Sequence, residues 1–161
     1  MDEIHIVVPE SAFPYMKVVG TLLHLVTCTR PDLAHAVGLL CRFNHAPGPT
    51  HVAAAKSVLR YMCGTKHRGV SYTTTSTPLQ GYCDSDYAGD VDGRKSTTGW
   101  IWTKNGGPIS WQSKVQSVMA LSTCEAEYYG AGSATKEALW LRKPLSDFGL
   151  PVATLPIFTD N

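Results

Sequence analysis

Three acidic residues of this sequence are spaced so that they could meet at one edge of a β-sheet. Asp84 ends the predicted strand "LQGYCD", and Asp160 ends the last predicted strand, "TLPIFTD". Glu127 lies in the first turns of the helix predicted between them. Carboxylates gathered in this way repel one another unless a cation binds there, and their oxygens are the ligands that Mg²⁺ and Mn²⁺ prefer. The three residues therefore predict a divalent-metal site.

The chemistry that such a cluster supports is hydrolysis of a phosphodiester. Two ions about 3.5–4 Å apart can activate a water molecule and stabilise the leaving oxygen. Acids at strand ends and in first helical turns are also common because they favour the helix dipole and solubility. Two neighbouring acids compete for the roles, Asp86 for that of Asp84 and Glu125 for that of Glu127. Asp84 is preferred because it directly follows the apolar strand, whereas Glu125 lies closer to the predicted helix cap.

The elements that must position these acids follow one another in the second half of the chain. Strands are predicted at "GVSYTTT", which is rich in β-branched and aromatic residues, at "LQGYCD", at "TGWIWTK" with its alternating tryptophans, and at "PISWQS"; "NGG" is a turn signal. A long helix is predicted from about Ser122 to Phe148, with Ser122 or Thr123 as its N-cap and "GLP" at its end. The last strand follows. A helix that joins two strands of one sheet is a crossover, which brings the last strand parallel to an early one.

The tryptophans of this half allow two interpretations. Trp100, Trp102 and Trp111 could stack on nucleic-acid bases. The preferred prediction is that they pack the sheet against the long helix, with Trp140 and Leu141 as their partners in the core.

The first half of the chain has a helical period instead. Three amphipathic helices are predicted, with Pro31 in the first turn of the second and Gly64 at the end of the third. Their apolar stripes are Val18, Leu22 and Leu25; Leu33, Val37, Leu40 and Phe43; and Val52, Ala55, Leu59 and Met62. The change of period predicts a boundary between residues 1–68 and residues 69–161, and an α+β fold in which a helical segment precedes a mixed sheet.

The composition limits the class of protein. Of the 161 residues, 43% are apolar, which suffices for a core, and the net charge of +1 does not indicate a general nucleic-acid-binding field. The first residues carry acids where a secretory signal would be basic, and no apolar run is long enough for a membrane span. The five cysteines are scattered, so no disulfide framework or zinc pair is indicated. We therefore expect an intracellular protein without a membrane partner.

Several long motifs, in order, resemble a known family. "GYCDSDYAGDVDGRKSTTGWIW", "GGPISWQSKVQSVMALSTCEAEYYGAGSATKEALWLR" and "FTDN" resemble the ribonuclease H region of copia-type LTR retrotransposon Pol polyproteins. "PYMKVVGTLLHLVTCTRPDLAHAVGLLCRF" and "HVAAAKSVLRYMCGTKHRGVSY" resemble the end of the reverse transcriptase of the same polyproteins. The resemblance implies that residues 1–68 are a thumb- or connection-like C-terminal segment of a reverse transcriptase. It implies that residues 69–161 are a truncated ribonuclease H-like domain, with an incomplete mixed sheet and one long crossover helix.

The resemblance also assigns roles to the acids. Asp84, Glu127 and Asp160 match the family's catalytic, metal-binding carboxylates. In the family these residues, with a fourth acid further along, bind two Mg²⁺ ions (or Mn²⁺) and cleave the RNA strand of an RNA–DNA hybrid. The implied location is the cytoplasm or nucleus, within a virus-like particle.

Arg94, Lys95 and Ser96, in the run "GRKSTTG", are weaker candidates for substrate binding. The two cations could neutralise a substrate phosphate, and the hydroxyl could donate a hydrogen bond to the backbone of a hybrid. The alternative for the cations is a solvated hairpin loop. For Ser96 it is a role in a turn or at the start of a strand.

The sequence departs from the family pattern at three points. It ends one residue after Asp160, before the fourth acid; Pro144 lies inside the long helix; and Gly130 stands where alanine is usual. An interior proline kinks a helix or costs about 3 kcal/mol, and a glycine costs about 1 kcal/mol. These departures predict a ribonuclease H-type fragment that is incomplete and inactive as an isolated chain and needs the remainder of the polyprotein. The alternative is a non-catalytic remnant or interaction module of a decayed element.

Overall fold

The computed structural model of the chain describes residues 13–90 and 92–160. The chain divides into two compact units, Met1–Gly69 and Val70–Asn161, one residue from the predicted boundary. We call them the helical unit and the sheet unit. The first twelve residues of the predicted first domain lie outside the described residues. None of the described helices is long and apolar enough to span a membrane.

The described part of the helical unit contains the three predicted helices. They are α1 (Tyr15–Cys28), α2 (Ala34–Cys41), which follows a 3₁₀ turn at Pro31–Leu33, and α3 (Pro49–Gly64). The predicted stripe of α1 is confirmed at Leu22 and wrong by one position at its other two residues. Its buried residues are Tyr15, Val19, Leu22 and Val26, whereas Val18 and Leu25 are only half-buried. The reason is the inward ring of Tyr15, whose hydroxyl donates a hydrogen bond to the carbonyl of Leu40 at 2.9 Å.

A buried arginine joins the start of the 3₁₀ turn to the end of α3. Arg30 is 6% exposed, and its guanidinium donates two hydrogen bonds to the Asp32 carboxylate, at 2.8 and 2.9 Å. It also donates to the hydroxyl of Thr65 at 2.8 Å, and the Tyr61 hydroxyl donates to Asp32 at 3.1 Å. The hydrogen bonds from Arg30 hold the pKa of Asp32 below its usual value, against the opposing effect of burial. The charge of this acid is therefore compensated within the unit.

The sheet unit has the predicted order of strands and helix, except that the first predicted strand is absent from the described residues. Its elements are β1 (Gln80–Asp86), β2 (Thr97–Lys104), β3 (Gly107–Val115), α4 (Thr123–Asp147) and β4 (Ile157–Phe158). The strand order is β3-β2-β1-β4, with β1–β2 and β2–β3 antiparallel and β4 parallel to β1. The α+β class and the crossover through one long helix are thus confirmed.

The strand predicted at "GVSYTTT" is wrong. Residues 70–75 are described and form no strand. Their contacts are with one end of the β2–β3 hairpin: the Thr73 amide donates to the Asn105 carbonyl at 2.7 Å, and the Tyr72 hydroxyl donates to the Pro108 carbonyl at 2.7 Å. The β-branched composition favours an extended chain, but composition alone does not provide a ladder of hydrogen bonds with a neighbouring strand.

Two tryptophans of β2 pack the sheet onto α4, as predicted. The indole N–H of Trp102, whose side chain is fully buried, donates to the Ala134 carbonyl at 3.3 Å, and that of Trp100 donates to the Ser133 hydroxyl at 3.1 Å. Leu141 is buried in the same core. The prediction for Trp140 is wrong, since this side chain is 64% exposed. Successive residues of a helix point about 100° apart, so the face that buries Leu141 turns Trp140 outward.

Pro144 does not end α4, which continues to Asp147. The proline lies in the last turn, so the break that was predicted affects only the end of the helix. The helix then closes with a Schellman motif: Gly149 has φ of 74°, its amide donates to Ser146, and the Leu150 amide donates to Leu145. The predicted stop at "GLP" is confirmed.

Candidate metal centre

The three predicted acids converge in the structure. Asp84, Glu127 and Asp160 each offer a carboxylate oxygen, and these oxygens all lie within 4.8 Å of one another. The parallel pairing of β1 with β4 explains how the two aspartates meet. Tyr82 is the partner of Phe158, and each aspartate follows its member of this pair by two residues. The parallel pairing therefore brings Asp84, within β1, close to Asp160, which lies two residues beyond β4.

The start of α4 positions the third acid. The Ser122 hydroxyl accepts a hydrogen bond from the Glu125 amide at 3.1 Å, and the Glu125 carboxylate accepts one from the Leu121 amide at 2.7 Å. The first of these hydrogen bonds confirms Ser122 as the N-cap, and the second ties the Glu125 side chain to the residue before the cap. Because its carboxylate turns back to the cap, Glu125 does not compete with Glu127 for the cluster.

Glu127 is the most enclosed of the three acids. Its Oε1 accepts a hydrogen bond from the Ser85 amide at 3.0 Å, while its Oε2 is buried and has no hydrogen-bond partner among the described residues. Burial raises the pKa of this carboxyl, and the nearby charges of Asp84 and Asp160 raise it further, against the lowering effect of the Ser85 amide. In the absence of a cation, burial and the neighbouring acids therefore disfavour the charged form of Glu127.

The other acids of the "DSDYAGD" loop have structural roles. The carboxylate of Asp86 lies directly over Gly89, where a side chain would leave no room for it. The Oδ2 atom of Asp90 accepts a hydrogen bond from the Gly93 amide at 3.0 Å. Both side chains shape the loop between β1 and β2. Of the two acids at the end of β1, the structure brings Asp84 and not Asp86 into the cluster.

The three weaker candidates lie at the end of the same loop. Ser96 is 1% exposed and its hydroxyl accepts a hydrogen bond from the Ala88 amide at 3.1 Å, a contact that fits the predicted role in a turn. The Lys95 ammonium donates to the Ser117 carbonyl at 3.1 Å. Arg94 is exposed, with φ of 50°. It remains the candidate whose side chain is open to a partner.

The donor set fits a hard divalent cation. Three carboxylates share the site, and among the described residues none of them forms an ion pair with lysine or arginine. Buried polar atoms are almost always paired, so the orphaned Oε2 of Glu127 needs an explanation. A metal ion between the three acids would supply the missing partner and neutralise their repulsion.

The sequence analysis did not identify Ser85, the residue that holds the Glu127 carboxylate in place. Ser85 donates its hydrogen bond from the backbone amide, and a pattern of side chains does not predict such a contact. One signal was present in Gly130, which is buried: a Cβ atom there would lie 2.5 Å from the Ser85 hydroxyl oxygen. The glycine that reads as a departure from the family pattern therefore allows α4 to approach β1.

Comparison with known proteins finds relatives over most of the chain. It is 46% identical over 148 residues to the retrovirus-related Pol polyprotein from transposon TNT 1-94 of Nicotiana tabacum, which covers 92% of this chain and 11% of that protein. It is 38% identical over 149 residues to the Pol polyprotein from transposon RE1 of Arabidopsis thaliana, covering 91% of this chain and 10% of the relative.

A shorter relative is covered almost completely. The secreted RxLR effector protein 161 of Plasmopara viticola is 49% identical over 129 residues, which are 80% of this chain and 91% of that protein. No family model and no solved structure matches the chain. The chain spans about a tenth of the length of the polyproteins that it matches. Taken with the ordered motifs, these identities show that the chain belongs to the copia-type family of retrovirus-related Pol polyproteins from transposons.

Proposed function

We propose that the sheet unit is a divalent-metal centre for hydrolysis of the RNA strand of an RNA–DNA hybrid. One observation carries the proposal: three acids from β1, α4 and β4 converge, and one of their oxygens is buried without a partner among the described residues. The metal is Mg²⁺ or Mn²⁺, with two ions in an intact site. The setting is intracellular, in the cytoplasm or nucleus or within a virus-like particle, with the rest of a polyprotein as partner.

The residues of the chain divide the work in this proposal. Asp84, Glu127 and Asp160 hold the metal, and the Ser85 amide keeps one Glu127 oxygen in place while the other has no hydrogen-bond partner among the described residues. A Mg²⁺ ion held by these acids would supply activation of a water molecule and neutralisation of charge on the leaving oxygen. Asp84 and Asp160 are exposed, which leaves one side of the centre open to a polynucleotide backbone.

The substrate class follows from the family resemblance and from local charge. A protein distinguishes RNA from DNA through the 2′-hydroxyls, which lie in the wide minor groove of an A-like duplex. The exposed guanidinium of Arg94 is available to contact a phosphate of the hybrid. With a net charge of only +1, the chain would depend on such local contacts.

One observation favours a second candidate, an interaction module without catalysis. The Plasmopara viticola relative, of which the chain covers 91%, is described as a secreted effector. In that case the carboxylate cluster would be inherited, and binding to a partner would be the selected property.

A cleavage assay with matched variants separates the two candidates. The purified chain is incubated with a labelled RNA–DNA hybrid and Mg²⁺ or Mn²⁺, beside Asp84→Asn and Asp92→Asn. The second variant makes the same charge change at an exposed loop position outside the cluster. If the acids of this chain suffice for cleavage, contrary to the expectation of an inactive isolated chain, the wild type and Asp92→Asn cleave the hybrid and Asp84→Asn does not. Equal background in all three chains would favour the interaction module.

A further inference from the structure

A buried glutamine lies behind the metal centre. Gln116 follows β3 directly and is 8% exposed. Its side-chain amide donates two hydrogen bonds of 2.9 Å, one to the Thr98 hydroxyl in β2 and one to the Ala126 carbonyl in α4. Its backbone amide donates to the Ser96 carbonyl at 2.8 Å. One side chain thus joins a central strand of the sheet to the first turns of the helix.

Both contacts lead to Glu127. The Ala126 carbonyl belongs to the peptide unit that joins Ala126 to Glu127, so its hydrogen bond fixes the backbone from which the carboxylate projects. The Thr98 hydroxyl lies 3.4 Å from the Ser85 hydroxyl, and the amide of the same serine donates to Glu127 Oε1. Gln116 therefore braces both the backbone before Glu127 and the residue that holds its carboxylate.

Stability alone does not explain this glutamine. Its Oε1 atom is buried and has no hydrogen-bond partner among the described residues. An unpaired buried acceptor lowers the free energy of unfolding, whereas an apolar side chain of similar size carries no such cost. The opposite orientation of the amide would direct Oε1 at the Ala126 carbonyl oxygen, so the two donated hydrogen bonds determine the assignment. What glutamine offers here is two donors aimed at two fixed acceptors.

We propose that Gln116 is a positioning residue for the metal centre. It holds the first turns of α4 against β2 so that Glu127 reaches Asp84 and Asp160. It contacts no metal itself. The inference rests on the proposed function, because the affinity that it predicts is that of the three carboxylates for a divalent cation.

The test uses one variant that removes both hydrogen bonds and a matched pair at one acceptor. Gln116→Met keeps the length of the side chain and removes its donors. Thr98→Val removes one acceptor at constant shape, and Thr98→Ser retains the hydroxyl. Mn²⁺ binding to the full chain is measured by electron paramagnetic resonance, well below the urea transition of each variant. We expect the Kd to rise about tenfold in Gln116→Met and about threefold in Thr98→Val, and to stay unchanged in Thr98→Ser.

A metal-free measurement keeps this test separate from that of the proposed function. Hydrogen exchange of the Ser85 amide reports whether Glu127 is in place, since this amide donates to its carboxylate. Without metal, exchange should be about tenfold faster in Gln116→Met than in the wild type and unchanged in Thr98→Ser. If wild type and Gln116→Met bind Mn²⁺ equally, the inference fails and the metal centre stands. If the wild type binds no Mn²⁺, the proposed function fails, and Ser85 exchange alone decides whether Gln116 positions Glu127. Unchanged Ser85 exchange in Gln116→Met overturns that role.

Discussion

The helical unit and the sheet unit each hold an acid next to buried groups, in opposite electrostatic surroundings. In the helical unit, Asp32 accepts two hydrogen bonds from Arg30, and its pKa is lowered. In the sheet unit, burial and two further acids raise the pKa of Glu127, and one of its oxygens is unpaired among the described residues. The carboxylate is compensated by the chain in one unit, whereas in the other it has no cationic partner among the described residues.

The difference distinguishes an acid that stabilises the fold from acids whose mutual repulsion destabilises it. A compensated acid adds to the free energy of unfolding through charge-assisted hydrogen bonds. An uncompensated cluster lowers it, and the deficit is recovered only when a cation binds. Four measurements examine this comparison, from the largest expected effect to the smallest.

The largest decrease in the free energy of unfolding is expected when a large buried side chain is truncated in the core of either unit. Trp102→Ala should lower the free energy of unfolding by about 3–5 kcal/mol, and Leu22→Ala in the helical unit by about 2–5 kcal/mol, because both side chains are almost fully buried. Urea unfolding followed by circular dichroism measures both. Trp102 also supports α4, so only Trp102→Ala should weaken Mn²⁺ binding. Equal Mn²⁺ affinity in the two variants would contradict the link between the sheet core and the metal centre.

Replacing a glycine by alanine should change stability in opposite directions in the two units. Gly130→Ala gains about 1 kcal/mol of helix propensity but forces a methyl group onto the Ser85 hydroxyl, an overpacking that costs about 1–3 kcal/mol. Gly20→Ala in α1 should stabilise by up to about 1 kcal/mol, since no described atom outside its own helix backbone and chain neighbours lies within 4 Å of the new carbon. Thermal unfolding measures both. Ser85→Ala should rescue Gly130→Ala, and failure of this rescue would rule out the proposed clash.

Asp32→Asn should destabilise the helical unit by about 1–2 kcal/mol. The change removes a charge-assisted pair and leaves buried Arg30 without its counter-ion, but the Asp32 side chain is 36% exposed, so solvent screens part of the loss. Because the pKa of Asp32 is lowered, its contribution is present above the unfolded-state pKa and is lost as the pH falls through the folded-state value. Urea titrations of wild type and variant between about pH 7 and about pH 2 should therefore converge at the acid end.

Glu127→Gln should change the free energy of unfolding least, and it should raise that energy whereas Asp32→Asn lowers it. The pKa of Glu127 is raised above its ordinary value of 4.5, so this acid favours the folded state below the unfolded-state pKa and loses that effect as the pH rises through the folded-state value. In a metal chelator near neutral pH the variant should be at least as stable as the wild type. Mg²⁺ should then stabilise the wild type and not the variant. A less stable variant in chelator would show that the Ser85 hydrogen bond outweighs the repulsion.

The sequence predicted what depends on a repeating pattern or on order along the chain. Apolar periods predicted α1 to α3, the cap and stop signals predicted α4, and strand–helix–strand order predicted that Asp160 lies beside Asp84. The failures have local physical causes. Residues 70–75 have strand composition but bond only near the end of a hairpin, and Trp140 lies one position from the buried face.

The residues that position the candidate site could not be predicted from the sequence, for a different reason. Ser85 acts through its backbone, and Gln116, although it lies in a motif that resembles the family, is a residue type that by itself indicates no particular role. Donors of this kind acquire a role only when elements distant in sequence come together. The acids themselves could be found because their residue type already restricts the chemistry, whereas a buried amide is compatible with many roles.

The two-residue strand β4 has a consequence for the order in which the site forms. Asp84 and Asp160 are 76 residues apart in the sequence, so bringing them together closes a long loop, and contacts of this range form slowly. A cation bound to both aspartates acts as a reversible cross-link across that loop. Metal affinity should therefore arise only in the last kinetic phase of refolding, as stopped-flow Mn²⁺ binding would detect. Affinity that appeared before β4 docks would place the ligands on the nascent β1–α4 pair alone.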